Sequence, residues 1–206
     1  MTTSSLQATN RQLMQQARDA LRGKWGLAVR TLFVYMLIAA ISQIPLIGFF
    51  ISIFLIPPLY IGWNIFSLAI SRNKSASTSQ LFEGFNQYWS AVGLYLLVII
   101  FVALWTLLLI IPGIIAGLSY AMAPYILIDN PSISALDAIR QSKQMMYGYK
   151  WKLFDLYLRF LGWMLLSILT LGIGLLWVIP YANISAAKFY DDLLKSTTGH
   201  PGSSRF

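Results

Sequence analysis

The chain has 206 residues, of which 57% are hydrophobic and only 11% are charged, and its formal net charge is +8. Ordinary soluble domains carry roughly 25% charged residues, so the composition excludes a soluble globular fold and indicates an all-α polytopic membrane protein. The lack of cysteine in the sequence excludes disulfides and thiol-based metal or redox sites.

The first segment, residues 1–24, has the periodicity of an amphipathic helix. At 100° per residue, Arg11, Arg18 and Arg22 form one stripe. The opposite face consists of Leu13, Met14, Ala17, Ala20 and Leu21. We expect a cytoplasmic helix in the membrane interface, with the basic stripe facing anionic lipid headgroups. The alternative is a helix packed within a cytoplasmic bundle.

Predominantly apolar runs predict six transmembrane helices, at residues 26–44, 46–70, 90–111, 114–128, 153–171 and 173–187. The run from 92 to 128 is too long for one span, because about 20 residues cross a bilayer. It must reverse, and Pro112-Gly113 is the predicted turn. The fifth and sixth predicted spans are the pair with the weakest boundary between them. One tilted helix over residues 160–187 would give five spans and an external C terminus.

The segments that join these spans differ in charge. The turns around Ile44-Pro45, Pro112-Gly113 and Leu171-Gly172 carry none, whereas nearly all lysines and arginines lie in the other segments. The positive-inside rule therefore predicts that both termini are cytoplasmic. Because this topology accounts for the basic balance, no nucleic-acid partner is expected.

The spans form an internal repeat of three helical hairpins, at about 25–71, 89–128 and 151–188. The predicted interfacial anchors are Trp25, Trp89 and Trp151. The predicted helix kinks in the returning spans are Pro58, Pro124 and Pro180. The predicted domains are thus residues 1–24, a six-helix membrane domain at 25–192, and a disordered cytoplasmic tail at 193–206.

Two further amphipathic helices are predicted before the second and third hairpins. In residues 79–89 the aromatic residues and Leu81 face away from Glu83 and Gln87. In residues 134–147 an Ala, Ile and Met face opposes a charged face, and Ser134 with Asp137 fits a capping box at the helix start. Both helices suit the membrane interface, and a packed cytoplasmic bundle is the alternative for the second of them.

Polar residues inside the spans form a candidate intramembrane site of Asp155, Arg159, Asn64 and Asn183. Charges at membrane depth suggest a functional site, but Asp155 and Arg159 are also spaced for a structural pair on one helix. The asparagines suit interhelical hydrogen bonds or the lining of a polar cavity. No catalytic residue, metal site or cofactor is predicted, because the single histidine, His200, lies in the polar tail.

The stretch from Leu107 to Leu193 resembles a family of uncharacterised bacterial multi-pass membrane proteins. The resemblance is carried by IIPGII, SYAMAPYILIDNP, ALDAIRQSKQMMYGYKWKLF, FLGW, LTLGIG, LWVIPY and AKFYDDL. The N-terminal LRGKWGLAV matches more loosely. This family is similar in plan to the membrane domain of some glycerophosphodiester phosphodiesterases. The resemblance implies a bacterial inner-membrane protein of about six helices and supplies no activity.

The expected function is therefore non-enzymatic maintenance of the envelope or membrane, through contacts with lipids or a membrane-protein partner. Uncharged outer turns, too short to hold an external domain, favour contacts in the bilayer or on the cytoplasmic face. The alternative is a small transporter or channel for a lipid-like, peptide or ionic substrate. A water-accessible cavity that reaches Arg159 would favour the transporter.

Overall fold

The computed structural model describes residues 8–41, 44 and 47–198, and every regular element within them is helical. The predicted all-α class is thus confirmed. In chain order the helices are α1 Asn10–Ala20, α2 Trp25–Ile41, α3 Ile47–Phe54, α4 Ile56–Ser71, a 3₁₀ helix Thr78–Gln87, α5 Tyr88–Leu108, α6 Ile110–Tyr120, α7 Ala123–Asp129, α8 Ala135–Met145, α9 Lys150–Ile168 and α10 Leu175–Thr198. The last helix packs against α1, α2, α4 and α9 and so joins both ends of the fold.

Two stretches of the described residues are long and apolar enough to cross a membrane, Thr78–Leu108 and Ile110–Asp129. The number rises to four if α1 with α2, bent by 94°, and α3 with α4, bent by 47°, each count as one span. The predicted six are not reached. The fifth and sixth predicted spans lie in α9 and α10, which also contain charged residues at 150–159 and 188–195.

The outer ends of α5 and α6 carry the most exposed apolar surface. Leu107, Leu108, Leu109, Ile110 and Ile111 are 65–87% exposed. Soluble monomers rarely leave a patch of this kind open to water. Its exposure therefore agrees with a membrane environment for this hairpin.

The second hairpin reverses at Leu109, which is extended at φ −161° and ψ 147°. The predicted turn, Pro112-Gly113, was therefore placed three residues too late. Pro112 lies in the first turn of α6, where its missing N–H is not needed. Gly113 lets the two helices meet, because a Cβ there would lie 2.9 Å from the Cα of Thr106.

The other two predicted outer turns have different outcomes. The turn at Leu171-Gly172 is confirmed, since both residues adopt left-handed backbone angles, φ 52° and φ 84°. Ile44 lies in a bend, and Pro45 lies outside the described residues. At the other end of α10, residues 193–198 are helical, although they were predicted as part of the tail, and the remainder of that tail, with His200, is outside the described residues.

The prolines of the returning helices do not act alike. Pro58 and Pro124 each lie in the first turn of a new helix, after breaks at Leu55 and at Ala121-Met122. Pro180 lies inside α10, which continues through it. At the first two predicted kinks a short break therefore divides two consecutive helices, with a bend of 47° between α3 and α4, whereas α6 and α7 together still form one apolar stretch. The threefold repeat itself stays a prediction.

The segment before α5 is a 3₁₀ helix rather than the predicted α-helix. Residues three apart eclipse in a 3₁₀ helix, and Phe82, Phe85 and Tyr88 accordingly stack in sequence, with ring centroids 6.5 and 6.3 Å apart. The side that carries Leu81 and Gly84 is buried against α4. Its aromatic face stays outward, as the membrane-interface prediction requires.

The apolar faces of α1 and α8 pack against protein and not against lipid. Leu13, Ala17 and Leu21 are fully buried, where α1 meets α10, α4 and α9. Helix α8 buries Ala138 and Ile139 against α5, α6 and α7. The interfacial placement predicted for α1 is therefore wrong as to its apolar face, because an amphipathic pattern suits a protein partner as well as a bilayer.

Candidate functional site

A basic groove of about 720 Å³ lies between α1, α9 and α10. The predicted basic stripe forms one wall of it, and Arg159 and Trp163 of α9 form the other. Its lining is Arg11, Met14, Gln15, Arg18, Asp19, Arg22, Arg159, Trp163 and Tyr181. Four arginines line the groove; Arg22 pairs with Asp19 and Arg159 pairs with Asp155, so the net positive charge comes from Arg11 and Arg18. A positive groove with an exposed tryptophan suits an amphipathic anion.

Specific hydrogen bonds hold α1 in place at this groove. Thr9 caps the helix in a capping box with Gln12. The Asn10 amide donates to the Lys152 carbonyl and to the Asp155 carboxylate, both at 2.8 Å. The Tyr181 hydroxyl donates to the Met14 carbonyl at 3.0 Å. Arg11 and Arg18 therefore project from a fixed helix.

Asp155 and Arg159 form the predicted pair, with 2.8 Å between Oδ2 and Nε. The Arg159 side chain is 50% exposed, because it faces the groove, and Asp155 is 38% exposed. The ion pair agrees with the structural role, and a role in binding stays a prediction. It is a structural contact within α9, and its arginine lines a groove.

We expect Asp155→Asn to lower the melting temperature, because it removes the carboxylate that both Arg159 and Asn10 contact. Asp155→Asn combined with Arg159→Gln should recover part of the loss. Melting curves of the two single variants and the double variant in one detergent measure this. Strictly additive losses would show that the two side chains do not interact.

The two asparagines of the candidate site do not join this pair. Asn64 is 2% exposed and donates to the Tyr60 carbonyl at 2.7 Å, whereas Asn183 donates to the Ile179 carbonyl at 3.1 Å. Each hydrogen bond returns to the carbonyl four residues earlier in its own helix. The interhelical hydrogen bonds expected for them are absent from the described residues.

The tryptophans predicted as anchors fall into two groups. Trp89 and Trp151 are 78% and 77% exposed at the starts of α5 and α9, as interfacial anchors require. Trp25 is partly buried and packs edge-on against Tyr181, with ring centroids 6.3 Å apart. Trp25 thus contributes to the packing of α2 on α10.

A charged junction joins the ends of α4, α7 and α10, and the sequence did not reveal it. Arg72 donates two parallel hydrogen bonds of 2.7 Å to Asp129 and one of 3.0 Å to Asp191. Ser71 and Tyr190 donate to the same two carboxylates. The hydrogen bonds to Asp129 are the main reason that the pKa of Arg72 is raised above its ordinary value. The arginine therefore stays charged and joins α4 to α7 and α10.

A comparison with protein families finds a match in the second half of the chain. Residues 106–197 match the family described as "Protein of unknown function (DUF975)". This region contains a DUF975 domain. Neither a curated protein nor a solved structure matches the chain.

The DUF975 region contributes only part of each charged feature. It contains Arg159 and Trp163 of the groove, whereas the arginines of α1 lie outside it. It also contains Asp129 and Asp191 of the junction, whereas Arg72 lies outside it. The region before residue 106 therefore completes both the groove and the junction.

Proposed function

We propose that this chain is a non-enzymatic integral membrane protein that maintains the membrane by binding lipids with anionic headgroups. The observation that carries the proposal is the basic groove. Arg11 and Arg18 are fixed on the capped helix α1, Arg22 follows its end, and Trp163 is 53% exposed in the opposite wall. Guanidinium groups bind phosphate oxygens in pairs of parallel hydrogen bonds. A membrane-protein partner that carries such lipids is included in this proposal.

The proposed setting is the inner membrane of a bacterium, with six spans and both termini in the cytoplasm. The charge asymmetry of the connecting segments supports this topology. Under this arrangement, α1 and the Arg72 junction are on the cytoplasmic side, where anionic lipid surfaces attract basic segments.

Reporter fusions after Lys74, Asn130 and Lys195 are expected to give cytoplasmic signals, because Lys74 and Asn130 follow returning helices and Lys195 lies near the end of the last one. A reporter active only in the cytoplasm and one active only outside it are compared at each position. An external signal after Lys195 alone would establish five spans instead.

The lipid proposal is tested by native mass spectrometry of the full chain in detergent with phosphatidylglycerol or phosphatidylethanolamine. Each basic residue near an anionic surface contributes about 1 kcal/mol. Replacing Arg11, Arg18 and Arg22 together by Gln should therefore weaken phosphatidylglycerol binding at least about tenfold. Binding of phosphatidylethanolamine should change little.

The matched control removes three charges elsewhere, through Lys74→Gln, Arg140→Gln and Lys143→Gln. This variant has the same net charge as the groove variant and should keep the preference for phosphatidylglycerol. Equal losses in both variants would show an effect of net charge alone. No loss in the groove variant would overturn the proposal.

Transport is the second candidate function, and one observation favours it. Arg159 lines an open groove and is not enclosed in a dry core. Because the sequence has no cysteine, single variants Arg159→Cys, Asn64→Cys and Asn183→Cys can be labelled with a membrane-impermeant maleimide. Headgroup binding predicts reaction at position 159 alone, whereas an aqueous path predicts reaction at all three.

A further inference from the structure

A cavity of about 280 Å³ lies where α4, α5, α6, α7 and α9 meet. Four tyrosines line it, Tyr60, Tyr95, Tyr120 and Tyr157, together with aliphatic side chains such as Leu94, Val98 and Leu118. Sites for small ligands have this composition, a mostly apolar wall with a few polar groups. The cavity is separate from the basic groove, with which it shares no lining residue.

The polar groups of this tyrosine cavity lack partners within the protein. Among the described residues, none accepts a hydrogen bond from the hydroxyls of Tyr95, Tyr120 or Tyr157. Tyr157 is 40% exposed, and none of the three hydroxyls is a fully buried atom without a partner, so they are open to an occupant of the cavity. In the apolar layer of a membrane no water is present to accept from them, and an unpaired donor there is costly. An occupant of the cavity must therefore offer hydrogen-bond acceptors beside an apolar body.

The depth of the cavity indicates where such an occupant comes from. Tyr95 and Tyr157 each follow the start of their helix, Tyr88 and Lys150, by seven residues, or about 10 Å at helical rise. The exposed Trp89 and Trp151 mark those starts as interfacial. The tyrosines therefore lie just inside the apolar layer, where the ester groups of a lipid meet its chains.

We propose that the tyrosine cavity binds the ester region of a diacyl lipid. An acyl chain lies against the aliphatic wall, and the ester carbonyls accept hydrogen bonds from the tyrosine hydroxyls. This site does not depend on the headgroup groove, and either can fail without the other.

The ester carbonyl is tested with two forms of phosphatidylglycerol, one with ester-linked and one with ether-linked chains. Native mass spectrometry of the full chain should show that the ester form binds more tightly by about three- to tenfold, the effect of one or two hydrogen bonds. Tyr95→Phe, Tyr120→Phe and Tyr157→Phe together should remove this preference, because the rings stay and the three donors go. Tyr147→Phe, on an 83% exposed side chain, is the control.

The position of the site is tested by filling the cavity. Gly117 lines it, and a Cβ added there would meet no atom within 4 Å, so Gly117→Leu should fold. Gly162 in α9 has equally free space and lies outside the cavity, so Gly162→Leu is the matched control. A photoreactive diazirine in the acyl chain should label α5 to α7 in the control and at least about fivefold less in Gly117→Leu.

Equal labelling of the two glycine variants would overturn the proposal, as would equal binding of ester and ether lipids by the unmodified chain. If Gly117→Leu does not fold, the variant with the three tyrosines replaced by phenylalanine decides. The groove variant of Arg11, Arg18 and Arg22 should keep the ester preference, which separates this site from the proposed headgroup function.

Discussion

Gly84→Ala is expected to lower the melting temperature by about 5–10 °C, the effect of about 2–3 kcal/mol of overpacking in a chain of this size. A Cβ at Gly84 would overlap the Pro58 carbonyl oxygen and lie 2.8 Å from the amide nitrogen of Gly62. Both are backbone atoms, which cannot move aside as a side chain can. The 3₁₀ helix would have to separate from α4, and buried Leu81 would lose its contacts.

Gly162→Ala is the control for this experiment, because its Cβ would meet nothing within 4 Å. Alanine is better than glycine within a helix by about 0.5–1 kcal/mol, so this variant should be unchanged or slightly more stable. The two substitutions are thus expected to have opposite signs. Similar melting temperatures for both variants would show that the 3₁₀ helix is not closely packed on α4.

Arg72→Gln is expected to have the second largest effect, a loss of about 2 kcal/mol, since it leaves two carboxylates facing each other without their cation. Asp129 and Asp191 are 30% and 18% exposed, so solvent screens them only in part. Adding Asp129→Asn to Arg72→Gln should restore some of the loss. The stability of Arg72→Lys should lie between that of the unmodified chain and that of Arg72→Gln. Lysine keeps the charge but lacks the planar guanidinium group that contacts both carboxylates.

Thermal unfolding of these variants in one detergent measures the effect, with Arg140→Gln as the control. Arg140 also pairs with an aspartate, Asp137, but both side chains are at least half exposed. Exposed pairs contribute little. A loss for Arg140→Gln as large as that for Arg72→Gln would show that the junction stabilises no more than a surface pair.

Local features of the fold were predictable where a residue type has a single structural role, such as a helix cap or a turn. Ser134 caps α8 as expected, with its hydroxyl accepting from the Asp137 amide at 3.1 Å. Leu171-Gly172 forms the expected turn. Pro112 misled the prediction, because proline suits both a turn and the first turn of a helix.

The packing of amphipathic faces was not predictable, because the same pattern suits lipid and protein. Leu13 and Ala17 of α1 are buried by other helices, and nothing in their spacing distinguishes this from a bilayer. The 3₁₀ helix was predicted as an α-helix for a similar reason. Over so short a segment, periods of 3.0 and 3.6 place the aromatic residues on the same side.

Half of the candidate site followed from sequence, the arginine stripe and the Asp155–Arg159 pair. The groove did not, because its second wall comes from helices far along the chain. The Arg72 junction was missed since its charges were counted only for topology. The available signal was Asp129 and Asp191 themselves, acidic residues at the ends of returning helices on an otherwise basic side.

The order of synthesis gives the Arg72 junction a further consequence. Asp129 follows Arg72 by 57 residues and Asp191 follows it by 119. At bacterial or eukaryotic translation rates, the longer interval takes roughly 6–24 s. For that time the arginine emerges before its second carboxylate exists. The contact that holds α4, α7 and α10 together is therefore complete only after α10 has been synthesised, so the mutual arrangement of these helices is the last step of assembly.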